Sequence, residues 1–317
     1  MVCVIGEALI DLVMDPATAA SAGPKTYLAH PGGSPFNVAI GLARLGQPSQ
    51  LLARLSGDAF GRQLRAHAEA NGVDLSCAVD APESSTVAVV SLDAERNAGY
   101  DFYRTGTADW QWSAAELDRM PADTSWIHTG SLASWIEPGA SVISGELRRR
   151  RDREDHAPVV ISYDPNIRAA LLPDHRSALA QVEAMVAIAD VVKASAEDLD
   201  WLYPGQDADD VLRRWQTLGA SVVVMTDGDR GARYLAGDRI GMAPSRPVRV
   251  VDTVGAGDAF MAGLINALAS NGDAGAIDET AVAAAVDEAI LVAALTCARA
   301  GANPPTAAEL AAAQAAS

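Results

Sequence analysis

Short apolar runs alternate with longer amphipathic segments along much of the chain. The runs predict buried strands at 2–5, 51–55, 126–129, 159–162, 191–193, 222–226 and 248–251. Apolar residues recurring three and four positions apart predict helices at 36–45, before Gly46, and at 59–70, ending near Gly72. Strands separated by helices indicate crossover connections and a mostly parallel sheet covered by helices on both faces.

Two segments interrupt this alternation. Residues 11–28 are mostly polar or small and include Pro16 and Pro24. Residues 86–92 and 100–103 predict a β-hairpin, with Asn97 and Gly99 in its connection. Neither segment fits a βαβ unit. A surface hairpin without a function is one interpretation of the second segment. The tail is rich in alanine and predicts a terminal helix.

Composition narrows the class of protein. The chain has 317 residues, of which 49% are hydrophobic, enough for one large α/β domain or a domain with a small addition. We predict no membrane span and no signal peptide, because we find no sufficiently long apolar run and no basic N-terminal region. The net charge of −17 argues against nucleic acid as a partner. Cys3, Cys77 and Cys297 are too scattered for a disulfide framework, so we expect a reducing cytoplasm.

The segment richest in candidate chemistry is Val248–Leu264, V-R-V-V-D-T-V-G-A-G-D-A-F-M-A-G-L. It predicts a buried strand, a glycine turn and a helix beginning near Asp258. Amides around Gly255, Ala256 and Gly257 could surround a transferred phosphoryl group, since helix N-termini attract phosphate. A carboxylate at such a site needs another task, and accepting a proton from a substrate hydroxyl is one. On these residues alone, the favoured interpretation is that Asp258 caps its helix.

This segment resembles the C-terminal signature of the ribokinase-like (PfkB-type) sugar kinases. H-P-G-G-S-P-F-N-V-A-I-G-L-A-R-L-G, at 30–46, resembles that family's other signature. The likeness extends from V-I-G-E-A-L-I-D-L at 4–12 to C-A-R-A-G-A-N-P-P-T at 297–306, and bacterial fructokinases are the most similar members. Two signatures in order are more specific than either glycine loop alone. The resemblance implies one α/β domain over 1–317: a ribokinase-like three-layer sandwich with a mostly parallel central sheet and a small β lid from about 12–30 and 84–107.

The resemblance also implies a sugar site. Positions around the first strand, the helix after it, the lid and the segment S-Y-D-P-N-I-R would contact the sugar. These are Asp11, Gly32, Gly33, Asn37, Tyr103, Arg104, Asp164, Asn166 and Arg168. Structural interpretations remain open for three of them: Asn37 as a helix cap, Asp11 as a loop anchor and Arg168 in a salt bridge.

On the nucleotide side the resemblance implies ATP and Mg²⁺, with K⁺ as a further candidate. The nucleotide-binding positions would be Lys193, Ser195, Thr226, Gly228, Gly231, Gly257 and Asn303. Where the family usually has Asn and Glu, this chain has Ser195 and Asp198. Asp198 and the adjoining Glu197 would position hydrated Mg²⁺. Asp252 and the carbonyl of Val254 would hold the monovalent cation.

The implied reaction is transfer of the ATP γ-phosphate to a primary hydroxyl of a monosaccharide, first of all fructose. Asp258 would be the catalytic base, and the amides of Gly255, Ala256 and Gly257 would stabilise the transferred charge. We expect a homodimer that binds a monosaccharide and ATP, without nucleic acid or membrane. A 2-keto-3-deoxygluconate, ribose or nucleoside kinase and a catalytically silent sugar- or nucleotide-binding regulator remain alternatives. A dinucleotide-binding oxidoreductase is disfavoured, because G-E-A-L-I-D follows the first strand where G-x-G-x-x-G would be needed.

Overall fold

The computed structural model describes residues 1–15, 18, 23–92, 98–152, 158–172, 174–270, 277 and 279–316. The strands are β1 (Val2–Ile5), β2 (Leu9–Met14), β3 (Tyr27–Gly32), β4 (Ser49–Leu52), β5 (Arg54–Ser56), β6 (Val79–Ala81), β7 (Val87–Leu92), β8 (Ala98–Tyr103), β9 (Trp126–Gly130), β10 (Val160–Asp164), β11 (Val191–Ser195), β12 (Val222–Thr226), β13 (Ala232–Ala236) and β14 (Arg239–Ala243). The helices are α1 (Ser34–Arg44), α2 (Ala59–Ala70), α3 (Ala114–Leu117), α4 (Gly139–Arg151), α5 (His175–Val186), α6 (Ala196–Leu202), α7 (Ala208–Leu218), α8 (Ala256–Ser270), α9 (Glu279–Cys297) and α10 (Ala307–Ala315).

Polar residues fix where several helices begin. The Asp58 side chain accepts the N–H of Gly61 at 2.8 Å and starts α2. Thr306 and Glu309 form a reciprocal capping box at the start of α10, which confirms the predicted alanine-rich terminal helix. After α1 the chain turns at Gly46, whose φ of 83° is left-handed, as the predicted helix stop requires.

Eight of the described strands form the main sheet, in the order β14-β13-β12-β11-β10-β9-β1-β4. Neighbours from β12 to β4 are parallel, and the hairpin β13–β14 continues the sheet antiparallel beyond β12. The predicted mostly parallel sheet is therefore confirmed. The predicted strand at 51–55 is in fact two short strands, because β4 ends at Leu52 and β5 leaves to pair with β6.

Successive residues of the central strands enter two different cores. Val2 and Val4 belong to the core beneath α1, α8 and α9, whereas Cys3 and Ile5 belong to the core beneath α4, α5 and α7. Side chains alternate across a strand, so an unbroken apolar run can fill both faces of one sheet. This arrangement confirms the predicted three-layer sandwich.

A separate four-stranded sheet, in the order β3-β2-β7-β8, uses both segments that interrupted the alternation. β2 pairs in parallel with β7, and the outer pairs are antiparallel. The sheet begins at Leu9, so Asp11 lies inside β2 rather than in a turn after β1. Gly99 lies in β8 rather than in the connection, and Asn97 is outside the described residues.

The predicted strand at 248–251 is wrong. Residues 248–251 form no strand, and the Val251 N–H donates instead to the Cys297 carbonyl at the end of α9, at 2.8 Å. Val248, Val250 and Val251 are 37%, 58% and 59% exposed. Two of them, Val248 and Val250, line a large cavity. These apolar side chains therefore form part of a cavity wall and do not belong to a sheet.

By length and composition alone, Thr280–Cys297 could cross a membrane, with a mean hydropathy of 1.7, although Asp287 and Glu288 interrupt it. The segment forms most of α9, and 39% of it is buried in this fold. Val286 and Ala289 are fully buried against α8 in the core. An apolar helix of a protein core has the same composition.

Close contact between α1 and α8 generates a stability prediction. A Cβ added at Gly41 would lie 2.6 Å from the Cβ of Ala262. Gly41→Ala should lower the free energy of unfolding by about 1–3 kcal/mol, as overpacking does in other cores. Urea denaturation measures the change. The matched control is Gly145→Ala in α4, where nothing lies within 4 Å of the added Cβ. It should raise stability by roughly 0.5–1 kcal/mol, and equal effects of the two changes would contradict the close contact.

Candidate active site

Two cavities open beyond the carboxyl ends of the parallel strands, the usual place for ligands in such sheets. The smaller has a volume of about 360 Å³ and the larger about 750 Å³. They meet, and the residues that line both are Asn166, Arg168, Lys193, Thr253 and Gly257. Ligands bound in the two cavities would therefore come into contact at this junction.

Asp258 lies on the wall of the smaller cavity and is 8% exposed. α8 starts at Ala256, two residues before the predicted start, which makes Asp258 its third residue. Its Oδ1 accepts a hydrogen bond from Ser34 Oγ at 2.6 Å, and its Oδ2 accepts one from Asn37 Nδ2 at 2.8 Å. Asn37 therefore holds the carboxylate across two helices rather than capping α1. A carboxylate fixed in this way keeps one orientation toward the cavity.

The glycine turn before α8 depends on close approach. Gly255 has a φ of 74°, and an added Cβ would lie 2.5 Å from Ala302 Cβ. A Cβ at Gly257 would lie 3.0 Å from Lys193 Nζ. The N–H of Ala256 donates to the Thr253 carbonyl at 3.2 Å and closes the turn. Of the three predicted phosphoryl donors, Gly255 and Gly257 thus remain on the smaller cavity's wall.

Most predicted sugar contacts converge on the smaller cavity. Its wall includes Asp11, Gly33, Asn37, Asn166 and Arg168.

Four predicted sugar contacts lie elsewhere. A Cβ on Gly32 would lie 2.4 Å from Asp11 Oδ2, so this glycine makes room for the carboxylate behind the wall. Tyr103 is 65% exposed, and neither it nor Arg104 lines the cavity, whereas Phe102 does. Alternation along β8 places Phe102 inward. The fourth, Asp164, lines neither cavity, and its carboxylate pairs with Lys193.

Asp164 and Lys193 form a buried ion pair at the junction. Lys193 Nζ donates to Asp164 Oδ2 at 2.8 Å, and both side chains are buried. Burial raises the pKa of Asp164 to about 6, against the lowering effect of Lys193. Burial alone would lower the pKa of Lys193, but nearby carboxylates, Asp164 first, raise it, so the ammonium stays charged.

The charge balance of the smaller cavity is acidic. Burial raises the pKa of Asp11 to about 6, with Arg168 opposing the shift and Asp258 adding to it. Four further polar residues on this wall were not predicted as site residues: Glu7, Ser34, Ser131 and Thr253. Glu7 stood within the quoted G-E-A-L-I-D, but Ser131 left no signal in the sequence.

The predicted nucleotide contacts gather around the larger cavity, except Asn303, which does not line it. Those on its wall are Lys193, Ser195, Thr226, Gly228, Gly231 and Gly257. Val248, Val250, Phe260 and Ile290 add apolar surface. This combination of a polar end and an apolar end suits a molecule with a charged group and a flat apolar ring.

The two neighbouring acidic residues of α6, Glu197 and Asp198, differ: the carboxylate of Asp198 accepts backbone hydrogen bonds, and that of Glu197 is exposed. Asp198 Oδ1 accepts the N–H of Ile167 at 2.8 Å, and its Oδ2 accepts the N–H of Ser195 at 2.9 Å. Asp198 therefore ties the loop after β10 to the start of α6. Glu197 is exposed on the wall of the larger cavity and is free to face a hydrated cation.

Asp252 is also engaged. It accepts the N–H of Val254 at 3.1 Å and the N–H of Gly301 at 2.8 Å, which joins the glycine turn to the loop after α9. Val254 lines the smaller cavity, whereas Asp252 does not. Among the described residues, no group of three or more His, Cys, Asp or Glu side chains is arranged to hold a metal. A cation here would need ligand oxygens from a substrate, water or the backbone.

The buried pair predicts a pH-dependent stability effect. Lys193→Met leaves Asp164 as a buried, unpaired carboxylate and should cost about 3–5 kcal/mol at about pH 8. The raised pKa of Asp164 means that this carboxylate takes up a proton as the pH falls through about 6 or above. The loss should therefore shrink at about pH 5. Urea denaturation at both pH values measures it, with Lys193→Met/Asp164→Asn as the control that recovers most of the loss. An equal loss at both pH values would contradict the charged pair.

Comparison with known proteins agrees with this geometry. A family model described as "pfkB family carbohydrate kinase" matches residues 1–309. A fructokinase of Rhizobium leguminosarum bv. trifolii is 38% identical over 268 residues, which cover 84% of this chain and 79% of that protein. A fructokinase double mutant of Vibrio cholerae O395, solved with fructose, ADP and potassium ion, is 28% identical with a TM-score of 0.85, covering 98% of this chain and 97% of that one. The fructokinase of Xylella fastidiosa with bound ATP is 28% identical with a TM-score of 0.88, covering 99% and 98%.

Proposed function

We propose that this chain, which belongs to the pfkB family of carbohydrate kinases, is a fructokinase that transfers the γ-phosphate of ATP to a primary hydroxyl of fructose. One observation carries the proposal: Asp258 is held by Ser34 and Asn37 on the wall of the smaller cavity, beside its junction with the larger one. A base beside one ligand and close to a second is what phosphoryl transfer between two substrates needs.

The sugar would occupy the smaller cavity, with Asp11, Gly33 and Asn37 around its hydroxyls. Asp258 accepts the proton of the attacking hydroxyl as the oxygen bonds to phosphorus. The hydrogen bonds from Ser34 and Asn37 keep its carboxylate aimed, which lowers the cost of reaching the transition state. The N–H groups of Gly255 and Gly257, at the positive end of α8, stabilise charge on the transferred group.

ATP would occupy the larger cavity, with its ring against the valine wall and its phosphates toward Lys193. We include Mg²⁺, because one open carboxylate with substrate phosphates is its usual setting in kinases. Glu197 would hold the hydrated ion, and Asp198 would fix the loop beneath it. Bound Mg²⁺ would neutralise phosphate charge.

We also propose K⁺ as a candidate activator beside the glycine turn. The fructokinase of Vibrio cholerae was solved with potassium ion. The engaged carboxylate of Asp252 and the carbonyl of Val254 are the oxygens that would hold it. Asn303 would close the nucleotide site from the loop after α9, where its N–H donates to the Gly301 carbonyl at 2.8 Å.

The four-stranded sheet would be the lid. Leu9, Asp11 and Phe102 of this sheet line the smaller cavity, so closing it would exclude water from the reaction. Tyr103 and Arg104 would approach the sugar only in a closed position. A homodimer through this sheet is in keeping with the exposed apolar side chains of Tyr27 and Leu28 on β3.

The smaller cavity favours a neutral sugar over a sugar acid. Three carboxylates, those of Glu7, Asp11 and Asp258, line it. The cations are Arg168 and Lys193, both at the junction, and Lys193 is already paired with Asp164. A 2-keto-3-deoxygluconate carboxylate would meet like charge deep in this cavity.

Removal of the base is the direct test. Asp258→Asn should lower the rate of fructose-dependent ADP release by about 10²–10⁴, the usual contribution of a general base. ATP binding, measured by calorimetry, should persist. The control is Asp200→Asn on the exposed face of α6, which should act like the unmodified enzyme. Near-normal turnover of Asp258→Asn would sink the assignment of the base.

A substrate panel tests the sugar. Fructose, ribose, a nucleoside and 2-keto-3-deoxygluconate are compared by ADP release at saturating ATP. Fructose should give the highest kcat/KM. The sugar acid should give a kcat/KM at least about a hundredfold lower, because its carboxylate is repelled by the carboxylates of the cavity. Preference for the acid would revive that alternative. Absence of turnover on every sugar would favour a silent sugar- or nucleotide-binding regulator.

A further inference from the structure

Glu7 is a buried carboxylate at the smaller cavity that the proposed reaction does not use. It lies between β1 and β2 and is 1% exposed. Its Oε2 accepts the N–H of Ala133 at 3.0 Å. A buried carboxylate is costly unless such bonds satisfy it. Glu7 is thereby joined to the turn that follows β9.

The turn that Glu7 holds has an unusual backbone. Ser131 has a φ of 52°, in the left-handed region that few residues other than glycine adopt. Ser134 Oγ donates to the Ser131 carbonyl at 2.7 Å and closes the turn from the other side. Ser131 and Leu132 both line the smaller cavity. A strained residue on a cavity wall persists only where its surroundings hold it there.

The backbone of Glu7 supports the opposite wall. A Cβ added at Gly33, whose φ is 108°, would lie 2.6 Å from the Glu7 carbonyl oxygen. Gly33 therefore packs directly on Glu7. The next residue is Ser34, which donates to Asp258. Glu7 thus lies between the Ser131 turn and a partner of the proposed base.

We propose that Glu7 is a positioning residue of the sugar site: its carboxylate, bonded to the Ala133 N–H, fixes the turn that contains the left-handed Ser131 and so sets the wall against which the sugar binds. The inference rests on the proposed function, because it takes the smaller cavity as the sugar site. Since Glu7 itself is almost fully covered, it acts on the sugar through Ser131 and Leu132.

The charge of Glu7 adds a second readout. Burial raises its pKa to about 7, the bond from Ala133 opposes the shift, and Asp109 adds to it. Asp11, Asp258, Arg168 and Lys193 are the other charged groups on this cavity's wall. Protonation of Glu7 weakens it as an acceptor for the Ala133 N–H, so kcat/KM for the sugar should fall as the pH drops through about 7. Asp11, with its pKa raised to about 6, contributes at lower pH.

Glu7→Gln is the informative variant. Glutamine keeps the size of the side chain and one oxygen for the Ala133 N–H, but a neutral amide oxygen is a weaker acceptor than a carboxylate. The KM for fructose should rise about tenfold, since a hydrogen bond to a charged group is worth roughly one decade more in affinity than a neutral one. The KM for ATP should stay unchanged. The acid limb of kcat/KM for fructose should move from about 7 toward about 6. A merely structural glutamate would not move this limb.

Glu7→Met tests the route through Ala133. Methionine has no oxygen to accept the Ala133 N–H, so its fructose KM should exceed that of Glu7→Gln, with the ATP KM unchanged. A fructose KM no higher than that of Glu7→Gln would overturn the role of this hydrogen bond. If Glu7→Met does not fold, Glu7→Gln alone decides: its fructose KM must rise with the ATP KM unchanged, and an unchanged fructose KM overturns the proposal.

Glu146→Gln is the matched control. It removes another buried glutamate charge, in α4, where Glu146 pairs with Arg149 and Arg150. Its fructose KM and pH profile should match those of the unmodified enzyme. If the unmodified enzyme turns over fructose and Glu7→Gln has the same fructose KM and pH profile, only the role of Glu7 is overturned. Failure of the unmodified enzyme on every sugar overturns the proposed function, and the role of Glu7 with it.

Discussion

The site depends on the two hydrogen bonds that Ser34 and Asn37 donate to Asp258. They join residues 224 and 221 positions apart in the chain and link the N-terminal turns of α1 and α8. Both helices lie on the same face of the main sheet, and Gly41 lets them pack closely at Ala262. Without that contact the carboxylate would have no fixed orientation at the cavity. The polar contact of the site is thus supported by an apolar one.

Electrostatics gives the two cavities different characters. The smaller is lined by carboxylates, the larger has an apolar wall, and Lys193 and Arg168 lie where they meet. Lys193 remains charged at this depth because Asp164 pairs with it. The buried carboxylate of Asp164 is in turn stabilised by the Lys193 ammonium group. The two side chains are only 5% and 1% exposed, so solvent weakens their attraction little. A permanent positive charge is thereby held at the junction, where an anionic group would pass between ligands.

Sequence reasoning predicted the layers because short-range patterns encode them, and the family resemblance named many of the residues that line the two cavities. Apolar runs such as 2–5 and 222–226 gave strands, and the glycine turn gave the start of α8 within two residues. It failed where long-range packing decides. The valines at 248–251 have the composition of a strand, but the Val251 N–H donates to the Cys297 carbonyl at the end of α9 and not to a neighbouring strand. Ser131 gave no signal, because Glu7, which bonds to its turn at Ala133, is distant in sequence.

The arrangement of charge also orders the two ligands in space. A phosphate group entering the smaller cavity would approach Glu7, Asp11 and Asp258, whereas at the junction it would approach Lys193, Arg168 and the amide end of α8. A neutral polyol has the opposite preference, since carboxylates accept hydrogen bonds from its hydroxyls. Under the proposed function, each ligand would thus be guided to its own cavity before any lid moves. The reacting hydroxyl would then lie on the acidic side of the junction and the phosphoryl group on the basic side, which is the polarity that proton removal by Asp258 requires.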